Sequence, residues 1–495
     1  MARRAPRRGA GIAVLSHYLP ACSVSTEVLR AAWGGGGPHD VTALPIADID
    51  EDALTMAAAA GAGALAQART RPGAIPSVRL VIPPGCEAPA STLAEALDLS
   101  SASWRTIIGG SAATLRAIVD AAMESTMGGE PSLVIAACDW LPSPSEWASR
   151  LYGHGAGAAL LTPTGGLLVE GSSFRSNEHL GAERRSSGDP RVRLPVDQAD
   201  PTEPLIGAVA RAQWRSETSR LLLCTPSTRT ARRLATAIHP KALKVLSEGI
   251  GRWCGDLGPA GPLVALAGLA GSLLPREDVV VAGAGFGQGG ALRLHRRGSV
   301  RATGGVTDEA SVQRHEIDPM QVLQQREMLR ALDPPSEAPM GAYVSMPAHH
   351  DSSAARYRLV GERGVRSGTI HFPPRGPIME RATGEECTPV RLRGTGTIYA
   401  LTTIGRGGAP GEFSYQQQMD GPYHVALVQL SEGPRIIAQL TPSWMETPTI
   451  GTPVVSVLRR LYRQQGIQRY GLKFTTVEPV AGPRAPIRDP LAAGS

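Results

Sequence analysis

The stretch TIIGGSAATLRAIVDAA, residues 106–122, decides the fold of the first part of the chain. A short apolar run reaches two glycines, and beyond Ser111 apolar side chains recur at helical spacing (Leu115, Ile118). Acyl-transfer enzymes can present a nucleophile in this way, because the free N–H groups at the start of a buried helix face an oxyanion. Ser111 occupies that position. The alternative is that Ser111 belongs to an ordinary N-terminal helix cap.

Strands and helices are predicted to alternate on both sides of this stretch. Residues 132–138, SLVIAAC, are apolar almost throughout, which is typical of a strand buried on both faces. The polar residues 174–202 indicate a loop, after which the pattern resumes. This alternation predicts an α/β layered core. Strands are expected at 11–19, 78–82, 220–224 and 278–282, and helices at 49–68, 92–97, 206–215, 230–238 and 241–250.

Two similar segments, GHGAGAALL from residue 153 and GAGFGQGGALRLH from residue 283, indicate an internal duplication. Composition then changes: 301–355 is expected to be a linker with a helix at 318–332. From residue 357 onward, short alternating runs separated by glycine or proline predict a small β-barrel.

Composition limits the possible partners. The net charge of +6 comes from 47 arginines and three lysines spread along the chain, with 4% aromatic residues. Nucleic-acid binding usually needs a concentrated basic face, so it is not expected. No apolar run is long enough to cross a bilayer. The six cysteines lack the spacing of a zinc site or a disulfide framework. We therefore expect a cytoplasmic protein that binds neither nucleic acid nor membrane.

The first 300 residues resemble the thiolase superfamily, and within it 3-hydroxy-3-methylglutaryl-CoA synthase and its bacterial relatives. The resemblance rests on GGSAATLRAI, the strand ending Cys138-Asp139, and GHGAGAALL, together with GDLGPAGPLVALAGLA and VVVAGAGFGQGGA. It implies a duplicated five-layer αβαβα fold with halves at about 11–170 and 203–300. It also implies an acyl-CoA thioester as substrate and a homodimer or a complex with a thiolase-like subunit.

The last 150 residues resemble an acyl-CoA-associated module made of a zinc ribbon and an OB-fold. LVGERGVRSGTIHFPPRGPIMER matches the ribbon, while GTGTIYALTTI and YGLKF match the barrel. The implied boundaries are 356–388 for the ribbon and 389–478 for the OB-fold, with disordered tails at 1–10 and 479–495. The ribbon positions that would hold zinc carry Gly364, Ser367, Ile378 and Arg381, which are not metal ligands. No metal is therefore expected.

The resemblance also assigns candidate site residues, several of which depart from the family pattern. Ser111 stands where condensing members have cysteine, Asp256 where they have an oxyanion-hole asparagine, and His154 where they have an acid. The family's catalytic histidine has no clear counterpart; His239 is the candidate for it, and the favoured alternative is an ordinary histidine at a helix start before Pro240. The substrate-binding candidates are Gly110, His154, Gly255, Gly283 and Gly285.

Two functions remain open at this point. One is an acyltransferase, or an enzyme that forms or cleaves a C–C bond beside an acyl-CoA thioester, including a retro-aldol lyase that works through acid–base groups. The other is a non-catalytic acyl-CoA-binding or scaffold subunit that supports an active thiolase-like partner. The second explains why the nucleophile, the asparagine and the zinc ligands are all substituted together. The domain order, which resembles that of catalytic fusions, favours the enzyme.

Overall fold

The computed structural model divides the chain into two compact units, one formed by residues 1–48, 52–93 and 99–322 and the other by 49–51, 94–98 and 323–495. Apart from Gly9 and Ala10, the tails expected to be disordered lie outside the described residues. Those are 9–35, 39–86, 88–177, 202–247, 254–302, 315–326, 328–329, 350–405, 408, 413, 416–417, 421–442, 448–464 and 467–477.

The strands of the first unit follow the expected order along the chain. They are β1 Gly11–Tyr18, β2 Cys22–Ser25, β3 Ala43–Ile46, β4 Ser77–Ile82, β5 Ser103–Ile108, β6 Ser132–Cys138, β7 Gly155–Thr162, β8 Leu167–Ser176, β9 Thr218–Cys224, β10 Asp278–Gly285, β11 Gln288–Arg296, β12 Arg301–Ala302 and β13 His315–Glu316.

Helices lie between these strands. They are α1 Thr26–Trp33, α2 Ala53–Ala68, α3 Ala90–Leu97, α4 Ser111–Gly128, α5 Pro144–Arg150, α6 Thr202–Gln213, α7 Thr228–Ile238, α8 Gly261–Ala270 and α9 Pro319–Gln325. None of the described helices combines the length and the apolarity needed to span a membrane.

The main sheet consists of two halves. The first has the order β5-β4-β6-β7-β1 and the second β8-β11-β10-β9, with β12 beside β1. They join where Gly11 and Ile12 of β1 pair with Leu168 and Leu167 of β8. Strands β6 and β10 are therefore both interior, one in each half.

Helices α4 and α8 form the central layer of the unit. Helix α4 packs against β6 and β7 of the first half-sheet and against β10 and β11 of the second, and α8 contacts β1, β7, β9 and β10. Helix α2 covers the outer face of the first half, and α6 packs on the second with α7 beside it. These five layers confirm the predicted αβαβα architecture, with Leu115 and Ile118 of α4 fully buried in the core between the sheets.

The second unit contains the predicted OB-fold. Its five strands are, in their order across the sheet, β19 Arg435–Gln439, β18 Tyr423–Leu430, β17 Thr395–Ile404, β20 Pro453–Gln464 and β21 Ile467–Thr476, and a backbone hydrogen bond of 2.9 Å from Thr441 to Phe474 brings the two ends of the sheet together. Phe474 is fully buried in the core of this barrel. Helices α10 Ser353–Arg358 and α11 Pro377–Thr383 precede the barrel. The strands of the unit are β14 Val360–Gly364, β15 Ile370–His371, β16 Cys387–Arg391, β17 Thr395–Ile404, β18 Tyr423–Leu430, β19 Arg435–Gln439, β20 Pro453–Gln464 and β21 Ile467–Thr476.

A buried group of charges belongs to the same unit. The fully buried Lys473 places its Nζ 3.1 Å from Asp50 Oδ2, and Arg459 lies 3.0 Å from Glu51 Oε1. Such charges are tolerated in a core because each has an opposite partner.

Three segments differ from the sequence prediction. Of the helix expected at 241–250, the described residues 241–247 form a short 3₁₀ turn, Ala242–Val245, because the chain then extends and the Ser247 N–H donates a hydrogen bond to the Leu221 carbonyl. The segment 301–355 is expected to be a helical linker, but two of its parts are strands. Residues 301–302 pair with β1 and residues 315–316 pair with β2, where those strands offer free backbone groups. The described helical parts of this segment are α9 and the start of the helix Ser353–Arg358. The loop predicted at 174–202 begins inside β8, and 178–201 lie outside the described residues.

Candidate active site

Ser111 is the first residue of α4, as the sequence predicts. Strand β5 ends at Ile108, Gly110 in an extended conformation precedes the helix, and Ser111 is 2% exposed. Gly110 lies against Gly285 so closely that a Cβ at residue 110 would be 3.0 Å from Gly285 Cα. Two of the glycines predicted for substrate binding therefore let the end of β10 approach the start of α4.

The hydroxyl of Ser111 donates a 2.7 Å hydrogen bond to the carbonyl oxygen of Gly258. One turn further along α4, Thr114 donates a 2.6 Å hydrogen bond to the carbonyl of Pro259. A backbone carbonyl does not take up a proton at neutral pH, so this contact does not activate the hydroxyl as a nucleophile. In the described part of the chain, this hydrogen bond of Ser111 connects the start of α4 to the turn that precedes α8.

Cys224, which the sequence analysis missed, is the side chain across from Ser111. Gly283 of β10 pairs with Cys224 at the end of β9. A Cβ at residue 283 would lie 2.6 Å from Ser111 Cβ and 3.2 Å from Cys224 Cβ. The missing side chain at Gly283 therefore makes room for both residues, as expected for a glycine that shapes a site.

The thiols around this point are held in their neutral form. Burial raises the pKa of Cys224 to about 12, and the negative charge of Asp256 adds to the shift. Burial also raises the pKa of Cys138, with Asp139 and Asp256 contributing in the same direction. An activated catalytic cysteine needs the opposite surroundings, which lower its pKa.

Asp256 lies in a turn that its own side chain stabilises. Its Oδ1 accepts a 2.8 Å hydrogen bond from the backbone N–H of Gly258, the residue that binds the Ser111 hydroxyl. Gly255 before it has φ +60°, and a Cβ there would collide with the carbonyl oxygen of Leu151. The structure therefore gives Gly255 a backbone role and brings the Asp256 carboxylate near the two thiols.

The two candidate histidines lie in different places. His154 is fully buried: its ring Nδ1 accepts a 3.0 Å hydrogen bond from the N–H of Ala47, and its backbone N–H donates to the carbonyl oxygen of Pro45. His239 follows the last residue of α7 and stacks on Trp214 at 5.1 Å. Trp214 lies just before β9, and Cys224 is the last residue of that strand. The seven residues of β9 span roughly 20 Å. The structure thus places His239 at the end of β9 opposite to Ser111 and Cys224.

An aromatic cluster borders the start of α4. Phe286 lies beside Gly110, since a Cβ on that glycine would be 3.4 Å from its ring. The ring of Trp140 is 5.4 Å from that of Phe286 and 4.5 Å from that of Tyr152. Tyr152 in turn forms a backbone bridge with Asp256. These three rings therefore surround the same region as Ser111 and Asp256.

In the second unit, a carboxylate occupies the first turn of the ribbon segment. Glu385 accepts backbone hydrogen bonds of 3.0 Å each from Arg366 and Ser367, and a 2.5 Å hydrogen bond from the Ser367 hydroxyl. The hydrogen bond from the Ser367 side chain contributes most to lowering the Glu385 pKa. Within the described residues, no three His, Cys, Asp or Glu side chains form a group that could hold a metal ion.

The comparisons with known proteins begin with the C-terminal region. A family model described as the C-terminal OB-fold domain of ChsH2 matches residues 389–459. A DUF35 domain-containing scaffold protein of Methanocaldococcus jannaschii is 33% identical over 125 residues, which cover 25% of this chain and 84% of that protein. The chain belongs to the DUF35 family. A second DUF35 domain-containing scaffold protein, from Pyrococcus furiosus, is 32% identical over 124 residues and is covered to 85%.

The rest of this DUF35 protein is similar to solved thiolase-like structures. 3-Oxoacyl-(acyl carrier protein) synthase III, FabH, from Pseudomonas aeruginosa is 20% identical with a TM-score of 0.50, covering 59% of this chain and 100% of FabH. MvaS in complex with 3-hydroxy-3-methylglutaryl coenzyme A is 16% identical with a TM-score of 0.52, covering 68% and 95%. At these identities the similarity establishes the fold: a thiolase-like domain is fused to an OB-fold domain.

Proposed function

We propose that this chain binds acyl-CoA thioesters in its thiolase-type site without turning them over, and that it acts as a scaffold subunit for an active thiolase-like partner. The hydrogen bond from Ser111 to Gly258 is the observation that carries this proposal, because it leaves the expected nucleophile without a base. Two of the similar proteins support it: MvaS is named in complex with a CoA thioester, and the DUF35 relatives are named scaffold proteins.

The charge around the site favours binding over condensation. A condensing enzyme stabilises negative charge on an enolate or a tetrahedral intermediate with hydrogen-bond donors. Here burial raises the pKa values of Cys138 and Cys224, and the Asp256 carboxylate adds to both shifts, so these surroundings disfavour any further anion at that point. A neutral thioester carries no such charge and is compatible with these surroundings.

The second candidate is an acyltransferase or a C–C bond forming or cleaving enzyme that acts on acyl-CoA, like 3-hydroxy-3-methylglutaryl-CoA synthase. One observation favours it: Cys224 shares the space above Gly283 with Ser111, and it is partly exposed. A thiol is a better acyl acceptor than a hydroxyl. In this scheme Asp256 is the remaining acid–base group near the thiol.

The partner that we propose is a second copy of the chain or a thiolase-like subunit, docked at β5. Within the described residues this strand forms one edge of the main sheet, pairing with β4. Ile108 at its end is 57% exposed, and Met127 at the end of α4 is 86% exposed. An edge strand with free backbone groups and apolar side chains is suited to pairing with another chain. All six cysteines are free thiols, in keeping with the reducing cytoplasm that we propose.

A panel of acyl-CoA thioesters tests the choice between the two functions. The purified chain is incubated with each thioester, its melting temperature is measured, and the recovered ligand is analysed by mass. We expect a rise in melting temperature with an unchanged ligand. A new product, or free CoA formed at a rate proportional to protein concentration, would favour the enzyme.

A further inference from the structure

The indole of Trp140 holds a polar group without a partner. Trp140 is 6% exposed, and its Nε1 has no hydrogen-bond partner among the described residues. Two other indoles of the chain are satisfied: Trp104 Nε1 donates to Leu99 and Trp147 Nε1 to Tyr152, each at 3.0 Å. Because a buried N–H without an acceptor costs free energy, an unpaired group of this kind calls for an explanation.

Trp140 is fixed at the edge of the candidate site. It follows β6 by two residues, and its backbone N–H donates to the sulfur of Cys138. Its ring contacts Phe286, which itself lies beside Gly110, the residue before Ser111. The unpaired indole therefore belongs to the group of side chains that surrounds the start of α4.

The other polar side chains around this point are poor donors to a bound carbonyl. The Ser111 hydroxyl already donates to Gly258, Asp256 carries a negative charge, and the thiol of Cys224 is a weak donor. A thioester seated beside Ser111 needs a donor for its carbonyl oxygen, since a carbonyl taken from water without one is disfavoured. The Trp140 N–H is buried, uncharged and does not titrate at working pH.

We propose that Trp140 Nε1–H donates a hydrogen bond to the thioester carbonyl oxygen of a bound acyl-CoA. The proposal rests on the acyl-CoA binding proposed above and adds the residue that recognises the acyl group. The rings of Tyr152 and Phe286 contact the indole, and a hydrogen bond in such apolar surroundings is stronger than one in water. Trp140 is thus a binding residue that separates thioesters from CoA derivatives lacking the carbonyl.

A cycle of two proteins and two ligands tests this assignment. Dissociation constants of acetyl-CoA and of its thioether analogue S-ethyl-CoA are measured by titration calorimetry with the wild type and with W140F. We expect the wild type to bind acetyl-CoA about tenfold tighter than S-ethyl-CoA, the effect of one net hydrogen bond. W140F should bind both ligands equally. W104F is the matched control, because its indole donates to Leu99, and it should keep the tenfold preference.

The outcomes separate this inference from the proposed function. A wild type that binds neither ligand overturns both. A wild type without preference, or a W140F protein that keeps it, overturns the role of Trp140 while leaving acyl-CoA binding in place. If W140F does not fold, the indole ¹⁵N–H resonance of Trp140 is followed in the wild type, assigned by elimination from Phe variants of the other six tryptophans. It should shift with acetyl-CoA and not with S-ethyl-CoA, and an equal shift would refute the assignment.

Discussion

The Ser111 hydroxyl lies 2.7 Å from the carbonyl oxygen of Gly258 and donates its proton to it. Gly258 is itself held by Asp256, whose carboxylate accepts the Gly258 N–H. The side chain at the nucleophile position and the side chain at the asparagine position are thus joined through one residue. This arrangement stabilises a turn, and it opposes the two features that condensation requires, a free nucleophile and a place for negative charge.

Introducing the family's cysteine at residue 111 and its asparagine at residue 256 should allow acetyl-CoA to acylate the protein. Ser111→Cys alone places a thiol near the Asp256 carboxylate, which opposes ionisation, so we expect slow acylation by acetyl-CoA. Adding Asp256→Asn removes that charge, and the double variant should acylate at least about tenfold faster, as expected for a pKa lowered by one unit. Intact-protein mass follows the acetyl group on the protein.

The wild type and Asp256→Asn alone are the controls for that experiment, and neither should gain mass. Acylation of wild-type Ser111 would contradict the structural role given to its hydroxyl. Equal rates for the single and double variants would contradict the influence of Asp256.

The Cys224 thiol should make the protein less stable at alkaline pH. Its pKa is about 12 in the folded chain against a usual value of 9.0. Between these values the unfolded chain releases the proton while the folded chain retains it, so the free energy of unfolding falls as pH rises from about 9 to 12. Melting temperatures at pH 7 and pH 10 should therefore differ less for Cys224→Ser than for the wild type. An equal loss in both proteins would contradict the assigned pKa.

Glu385 should hold the first turn of the ribbon segment together. Glu385→Ala removes the acceptor for the N–H groups of Arg366 and Ser367, and we expect faster amide hydrogen exchange there. The neighbouring Glu386→Ala is the control, and it should leave exchange at these two residues unchanged. If the amides of Arg366 and Ser367 remain protected from hydrogen exchange in Glu385→Ala, the turn does not depend on this carboxylate.

The ribbon segment should bind no stoichiometric zinc. Gly364, Ser367, Ile378 and Arg381 provide no ligand at the positions where the related module has them. Elemental analysis of the purified chain should therefore find zinc well below one equivalent. One equivalent that is lost on unfolding would contradict this prediction.

The layered fold was predictable because it depends on local patterns. The continuous apolar run of β6 and the helical spacing after Ser111 each indicate one element, and their alternation indicates the layers. The position of Ser111 at the start of a buried helix follows from the same short stretch.

Cys224 and Glu385 could not be found in this way. Cys224 lies near Ser111 because the pairing of β9 with β10 places Cys224 beside Gly283. The register of that pairing cannot be predicted from the sequence of either strand alone. Glu385 reaches Ser367 across 18 residues of chain. His239 was chosen from its neighbouring proline, but α7 carries the chain away from the end of β9 before that histidine. A signal for Cys224 was available in its place directly after the apolar run LLL, at the strand end where site residues gather.

The central claim is that the thiolase-type site binds an acyl-CoA and leaves it intact. Titration calorimetry of the wild-type chain with acetyl-CoA, with chromatography of the ligand recovered from the same cell, tests it most directly. We expect saturable binding of about one ligand per chain and complete recovery of acetyl-CoA. Binding that is absent, or recovery of free CoA in proportion to the protein present, would contradict it.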